Sequence, residues 1–248
     1  MKLLIDAGNT RIKWALVNNG DWLLGGALPV QQASGLQQHF AGQFGKLVTD
    51  LRDIQQTWVS NVAGEEVAGA IRNACAAPQC PPRFITAQAA QCGVRNGYAQ
   101  PSQLGSDRWA ALIAAWRLTG RSCLSVNCGT ATTIDALSGQ GEFIGGLILP
   151  GVELMQHSLG AATARLQPAR GKYAPFPLNT ADALYSGAIQ ATCGAIERQH
   201  ALLGDGSAPV VLSGGAAAQL QHRINLPVQM VDNLVLQGLL LIARETDA

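Results

Sequence analysis

Apolar and polar positions along the chain form two successive blocks with the same order of predicted elements. The first opens on Leu3-Leu4-Ile5, a short apolar run that turns polar at Asp6 and predicts a buried strand over 3–7. A tight Gly8-Asn9-Thr10 turn follows. Partial alternation through Ile12, Trp14 and Leu16 then predicts a strand over 11–18. Asn18-Asn19-Gly20-Asp21 is a hairpin signal leading into a third strand near 22–30. A short helix around 34–44, a strand over 57–62, a helix over 65–76 and a strand over 83–86 complete the block.

The second block repeats that order. A strand over 122–128 runs into a Gly129-Thr130 turn and a strand over 132–137, and Ser138-Gly139-Gln140-Gly141 turns into a strand over 142–149. Pro150-Gly151 opens a helix, with proline near the first helical position, where its missing N–H costs little. A long helix over 181–203, a strand over 209–212, a helix beyond Gly215, a strand over 228–231 and a helix over 234–244 follow. The glycine turn after the first strand falls in the same place in each block. The pattern therefore predicts a duplicated α/β fold of two βββαβαβ halves, residues 1–117 and 118–248. This order resembles the actin-like ATPase (ribonuclease H-like) fold, shared by sugar kinases, in which a nucleotide lies in a cleft between the halves.

Composition narrows the function. Of 248 residues, 48% are hydrophobic and 13% charged, which suits a well-packed globular protein rather than a disordered one. A formal net charge of +1 leaves no basic stripe for a phosphate backbone, so nucleic acid is not an expected partner. The six cysteines form no C-x-x-C pair, which argues against structural zinc and for free thiols in a reducing compartment. The apolar run at the start is too short for a signal-peptide core, and the apolar segment over 234–243 is too short to span a bilayer. The expectation is a cytoplasmic protein with no membrane partner.

Three glycine-bearing sites could carry chemistry. Asp6-Ala7-Gly8-Asn9-Thr10 ends a strand where the glycine lets backbone N–H groups approach an anion. A carboxylate there can hold Mg²⁺ while the amides and the Thr10 hydroxyl face phosphate oxygens. The same residues also make an ordinary polar turn. Asn127-Cys128-Gly129-Thr130-Ala131-Thr132-Thr133 holds the matching place in the second block, with a glycine turn and three hydroxyls. Two such hairpins point to a polyphosphate where either alone does not. Leu212-Ser213-Gly214-Gly215-Ala216 runs from a strand into a helix. It serves either close approach of a nucleotide or a packing turn.

Gly105-Ser106-Asp107-Arg108-Trp109 opens a helix on which Trp109, Leu112, Ile113 and Trp116 form one apolar face. Asp107 reads either as a first-turn residue complementing the helix dipole or as a general base for an alcohol, with Arg108 beside it as a donor. The dipole is expected to lower the Asp107 pKa. From the residues alone, His157 reads as a packed or hydrogen-bonded helical histidine and Asn179-Thr180 as a helix N-cap. Trp14, Trp58, Trp109 and Trp116 read as core.

These residues, taken in order, resemble the type III pantothenate kinases. The family's Asp-x-Gly-Asn-Thr/Ser motif is matched by Asp6 to Thr10, and its Tyr-x-x-Pro-x-x-Leu-Gly-x-Asp-Arg run by Tyr98, Pro101, Leu104, Gly105, Asp107 and Arg108. Gly-Thr-Ala-Thr-Thr followed by Asp is matched by Gly129 to Thr133 and Asp135, and Gly-Gly-x-Ile-x-Pro-Gly by Gly145, Gly146, Ile148, Pro150 and Gly151. Asn179-Thr180 and Ser213 to Gly215 complete the series. The resemblance implies ATP-dependent phosphorylation of the primary hydroxyl of pantothenate, the first step of coenzyme A synthesis. It implies that Asp6 organises Mg²⁺ and that Asp107 takes the hydroxyl proton. Tyr98, Gly105, Ser106, Arg108 and His157 would line the pantothenate pocket, and Thr180 would reach it from the partner in a homodimer. The implied nucleotide contacts are Asp6, Ala7, Gly8, Asn9, Thr10, Arg11 and Lys13 in the first half. In the second they are Gly129, Thr130, Ala131, Thr132, Gly214 and Gly215.

Family members also use a monovalent cation, K⁺ or NH₄⁺. Most have Asp where this chain has Asn127, the mirror of Asp6. An amide brings no negative charge to a cation, so this departure puts the monovalent-cation requirement in question. Two other readings compete: a kinase of the same fold acting on a sugar or short acid, and a non-catalytic accessory factor in gene expression. The Tyr98-to-Arg108 run argues against the first, and the presence of Asp6, Asp107 and Arg108 against the second.

Overall fold

A computed structural model describes residues 1–44, 54–75, 81–162 and 171–247. The predicted helix end at Ala76, and Cys80, lie outside them. The chain divides into two compact units, Met1–Cys92 with Tyr98–Ala114 and Leu234–Ala248, and Gly93–Gly97 with Ala115–Asn233.

The first unit is built on β1 (Lys2–Ala7), β2 (Arg11–Asn18), β3 (Asp21–Pro29), β4 (Gln56–Asn61) and β5 (Arg83–Phe84), in the order β3-β2-β1-β4-β5. β1 pairs antiparallel with β2, and β2 with β3, while β1–β4 and β4–β5 are parallel. Central β1 is buried on both faces from Leu3 to Ala7, which is why it reads as an apolar run rather than an alternation. Leu3, Ile5 and Ala7 join Trp14, Phe40, Phe44, Val59 and Ile71 in one core. The helices of that core are α1 (Leu36–Phe44), entered through a 3₁₀ turn at Val30–Gly35, and α2 (Glu65–Ala74). Trp14 anchors it, with Phe40 and Phe44 edge-on at 5.7 and 5.2 Å and its indole N–H donating to His39 Nε2 at 3.1 Å.

The chain order predicts the closing helix in the second half. It packs instead on β1 and β4 of the first unit as α7 (Leu234–Thr246). Its run of Leu234, Leu236, Leu239, Leu240 and Ile242 needs a sheet face to cover, and β1 and β4 offer one. α3 (Ser106–Thr119) also departs from expectation. Arg108 to Ala115 are buried all the way round, so Trp109, Leu112 and Ile113 belong to a fully enclosed stretch of the helix rather than to one face, and only the last turn, with Arg117 and Leu118, is exposed. Backbone contact explains part of this: a Cβ on Gly238 of α7 would lie 1.9 Å from the Ala110 carbonyl oxygen.

In the second unit, β8 (Cys123–Cys128), β9 (Ala131–Leu137), β10 (Glu142–Pro150), β11 (Val210–Ser213) and β12 (Val228–Met230) run in the order β10-β9-β8-β11-β12. That repeats the first sheet strand for strand and direction for direction. Two short strands, β6 (Ala90–Gln91) and β7 (Val94–Asn96), were too short to leave a pattern, and β7 adds to β10 in parallel. α4 (Val152–Ala162), α5 (Thr180–Leu203) and the single turn α6 (Ala217–Leu220) cover the sheet. Leu124, Val126, Ile134, Ile189, Ile196 and Val210 lie at its core.

The register makes the duplication atomic. Asp6 stands opposite Lys13 on β2 and Ser60 on β4, while Asn127 stands opposite Thr133 on β9 and Ser213 on β11. The described cysteines are free thiols, with Cys123, Cys128 and Cys193 buried. No helix among the described residues is long and apolar enough to cross a membrane.

Candidate active site

The first turn is held by its own backbone. The Gly8 N–H donates to the Arg11 carbonyl at 3.1 Å, Val30 N–H to Thr10 at 2.9 Å, and Val62 N–H to Ala7 at 3.0 Å. Asp6 and Ala7 are buried at the strand end, Gly8 and Lys13 are half-buried, and Asn9, Thr10 and Arg11 are exposed. The turn therefore offers amides and a hydroxyl outward and keeps one carboxylate behind them. Burial pushes the Asp6 pKa up to about 7; Lys13 opposes that rise and the nearby Asp107 charge adds to it. A buried carboxylate whose ionised form is disfavoured in this way fits a cation, which would restore the charge balance.

Asp107 reaches this neighbourhood from the start of α3. The Trp109 N–H donates to the Gly105 carbonyl at 3.0 Å, closing the first helical turn, and the Arg108 N–H donates to Asp107 Oδ1 at 2.8 Å. The carboxylate thus takes a first-turn N–H, as the capping reading anticipates. Its pKa moves the other way from the dipole expectation: burial raises it, outweighing the Arg108 N–H and guanidinium, which lower it. The cause is plain: the cost of taking the charge out of water exceeds what the first-turn N–H groups and the Arg108 guanidinium return. A Cβ on Gly105 would lie 2.6 Å from Asp107 Oδ1, so a side chain there would displace the carboxylate.

Arg108 is buried, and its Nη1 donates to the Tyr98 hydroxyl at 3.2 Å, with the guanidinium carbon 6.0 Å from the Tyr98 ring centre. Tyr98, Gly105, Ser106, Asp107 and Arg108 therefore form one cluster beside Asp6. Ser106 is buried and its hydroxyl lies 2.9 Å from that of Ser60. Ser60 carries no motif of its own and was not expected in the site. Alignment of the two halves could have found it, because it is the counterpart of Ser213.

In the second unit three glycine turns converge, at Gly129, Gly151 and Gly214. Gly129 N–H donates to the Ala131 carbonyl at 3.0 Å, and Gly151 N–H to Thr130 at 2.8 Å. Ala216 N–H donates to the Cys128 carbonyl at 3.1 Å. Gly214 sits at φ +100° with its missing Cβ 2.5 Å from the Cys128 oxygen, so any side chain there would collide with the turn. Gly129, Thr130, Ala131 and Gly215 are exposed and Asn127 is half-buried. Thr132 is fully buried beside Cys128, so Thr130 presents the exposed hydroxyl and Thr132 belongs to the strand interior.

His157 is exposed on α4 rather than packed, and Thr180 is exposed at the start of α5, where the preceding Asn179 caps the helix by accepting from Asp182 N–H at 2.9 Å. Thr180 borders an apolar groove of about 520 Å³ with Met155, Leu159 and Leu184. In the first unit a cavity of about 700 Å³ opens beside Asn9, bordered by Gln31, Gln37, Glu66 and Asn73. Trp14, Trp58 and Trp109 are core as expected, while Trp116 is half-buried, its ring against Gly93 and Gly141.

Comparison with known proteins places this arrangement. The family model described as type III pantothenate kinase matches residues 2–201. A type III pantothenate kinase from Nitrosospira multiformis is 49% identical over 247 residues, covering 98% of this chain and 91% of that protein. Among solved structures, a conserved candidate Baf family transcriptional activator from Campylobacter jejuni superposes with a TM-score of 0.62 at 21% identity, over 99% of this chain and 98% of that one. A candidate 2-dehydro-3-deoxygalactonokinase from Sinorhizobium meliloti gives 0.60 at 16% identity, over 99% of each chain. These two likenesses carry the fold alone, a duplicated α/β architecture of the actin-like ATPase and sugar-kinase type. With the family model matching residues 2–201 and a 49% identical relative covering 98% of the sequence, the chain belongs to the type III pantothenate kinase family.

Proposed function

We propose that this protein transfers the γ-phosphoryl group of ATP to the primary hydroxyl of pantothenate, giving 4'-phosphopantothenate, the entry to coenzyme A synthesis. The observation that carries this reading is family membership along 98% of the chain, at 49% identity to a named type III pantothenate kinase. The cluster of buried Asp6 and Arg108 with half-buried Asp107 and Tyr98 supports it, because a phosphoryl transfer to an alcohol needs a cation site, a proton acceptor and a clamp on the substrate.

In this reading Asp6 holds Mg²⁺, which when bound neutralises charge on the phosphate oxygens. The amides and side chains from Ala7 to Arg11, with Lys13, are the phosphate contacts of the first unit, and Gly129, Thr130, Ala131, Gly214 and Gly215 are the nucleotide contacts of the second. Asp107 accepts the hydroxyl proton. Arg108 and Tyr98 orient pantothenate, with His157 and, from a partner chain, Thr180. Asn127 supplies an amide where the family resemblance implies a carboxylate, so bound K⁺ would lack a charged ligand at this position.

A homodimer fits the surface of the second unit. Ile144, Ile148, Leu154 and Leu159 are exposed, and Leu178, two residues before Thr180, is 98% exposed. The chain of 25.9 kDa is expected to sediment at about twice that mass. A monomer that turns over at full rate in the assay would remove the need for a shared Thr180.

The direct test is ADP release with ATP and Mg²⁺, with and without pantothenate and with and without K⁺. Turnover should depend on pantothenate, and K⁺ should change the rate less than it changes that of an Asn127→Asp variant. A folded protein that releases ADP no faster with pantothenate than with a sugar would sink the substrate assignment.

A further inference from the structure

We propose that Ser60 is a positioning residue for Asp107, its hydroxyl tying the end of β4 to the first residue of α3 so that the Asp107 carboxylate is held beside Asp6. The inference rests on the assignment of Asp107 as the proton acceptor.

The geometry is local and complete. Ser60 is 0% exposed and Ser106 is 8% exposed, and their hydroxyl oxygens are 2.9 Å apart. Ser60 is the register partner of Asp6 across the parallel β1–β4 pair, so both side chains leave the sheet on the same face. That face is not the one covered by the α1 and α2 core, which takes Ile5, Ala7 and Val59 instead. Ser106 immediately precedes Asp107. One hydrogen bond therefore connects the strand position beside Asp6 to the helix residue beside Asp107.

Energetics favour a role for the bond. A hydroxyl buried in apolar surroundings costs free energy unless it is paired, and an alanine would fill the same strand position without that cost. Leu4, on the same face of neighbouring β1, shows that the surroundings accept an apolar residue. Direct contact of Ser60 with substrate does not account for it, because Ser60 has no exposed surface. What the bond provides is a fixed direction for the first turn of α3, where misplacement of a reacting group by about 1 Å can cost on the order of 10²-fold in rate.

The test compares Ser60→Ala, Ser106→Ala and the double variant with wild type, with Asp107→Asn as reference. Ser60→Ala is expected to lower kcat about ten-fold with the KM for ATP unchanged within about two-fold, and Ser60→Thr, which keeps the hydroxyl, to recover part of the loss. The double variant should be no slower than the worse single one, because both remove the same bond. Unchanged kcat in Ser60→Ala while Asp107→Asn is inactive would overturn the positioning role, as would additive losses in the double variant. Retained turnover in Asp107→Asn would instead overturn the assignment of the base. If Ser60→Ala does not fold, Ser106→Ala removes the bond from the helix side, and an unchanged kcat there would overturn the proposal equally.

Discussion

Asp107→Asn is expected to lower kcat by about 10²–10⁴-fold while leaving ATP affinity nearly intact. Asparagine keeps the shape and can still accept the Arg108 N–H bond, now made to Asp107 Oδ1 at 2.8 Å, so the first turn of α3 should survive. What it loses is the ability to take a proton. A loss near the lower end would indicate a loose transfer in which positioning outweighs proton abstraction. The pH dependence supplies a second readout. Burial raises the Asp107 pKa, and the carboxylate works as a base only when ionised, so kcat should rise with pH through an acid limb lying above the usual carboxylate range. Steady-state rates across pH, with ATP affinity measured separately by fluorescence or calorimetry, check both. Full kcat in the variant would remove Asp107 from the chemistry.

Asp6→Asn should do two opposite things: abolish most turnover and stabilise the protein when no metal is bound. The sign follows from linkage. Asp6 has a folded pKa of about 7 against an ordinary 3.8, so the folded state holds the proton more tightly than the unfolded one. Stability is then greatest below the ordinary value and falls as pH rises through the window up to about 7, beyond which the cost is constant. Asparagine carries no charge to bury and escapes that cost. At pH 8 the variant is expected to melt about 3–6 °C above the wild type, with the difference vanishing near pH 4. Added Mg²⁺ with ATP should raise the wild-type midpoint and leave that of Asp6→Asn almost unmoved. Thermal melts at several pH values test this, and a variant less stable than wild type at pH 8 would contradict the origin given for the raised pKa. A site that sacrifices stability for a buried charge is what a cation-dependent phosphoryl transfer requires.

The two predictions rest on the same pair of carboxylates, which lie 101 residues apart in sequence by the difference of 107 and 6. Their motifs were legible separately. Asp6-Ala7-Gly8-Asn9-Thr10 shows as a strand end and glycine turn, and Gly105-Ser106-Asp107-Arg108 as a helix start, because strand periodicity and turn chemistry are set by neighbours in the chain. The likeness of the two halves was legible for the same reason, down to Asn127 as the mirror of Asp6, and the register bears this out through Ser60 and Ser213.

What local pattern could not supply is anything that depends on who packs against whom. The pKa of Asp107 moves up because tertiary burial outweighs the helix end, an effect with no trace in the residues around it. Thr132 has the same side chain as Thr130, yet it is buried beside Cys128 while Thr130 is exposed. Ser60 sits in an unremarkable strand and acquires meaning only from Ser106, 46 residues away. The closing helix has the apolar stripe of any packed helix, and only the sheet face left open on β1 and β4 decides that it belongs with the first unit. By itself, then, the sequence determined the order of elements, the glycine turns and the family, because these rest on short-range sterics and on residue patterns. The tertiary structure alone decided burial, proton affinity and the partner of each hydroxyl, because those are set by atoms that the chain brings together only on folding.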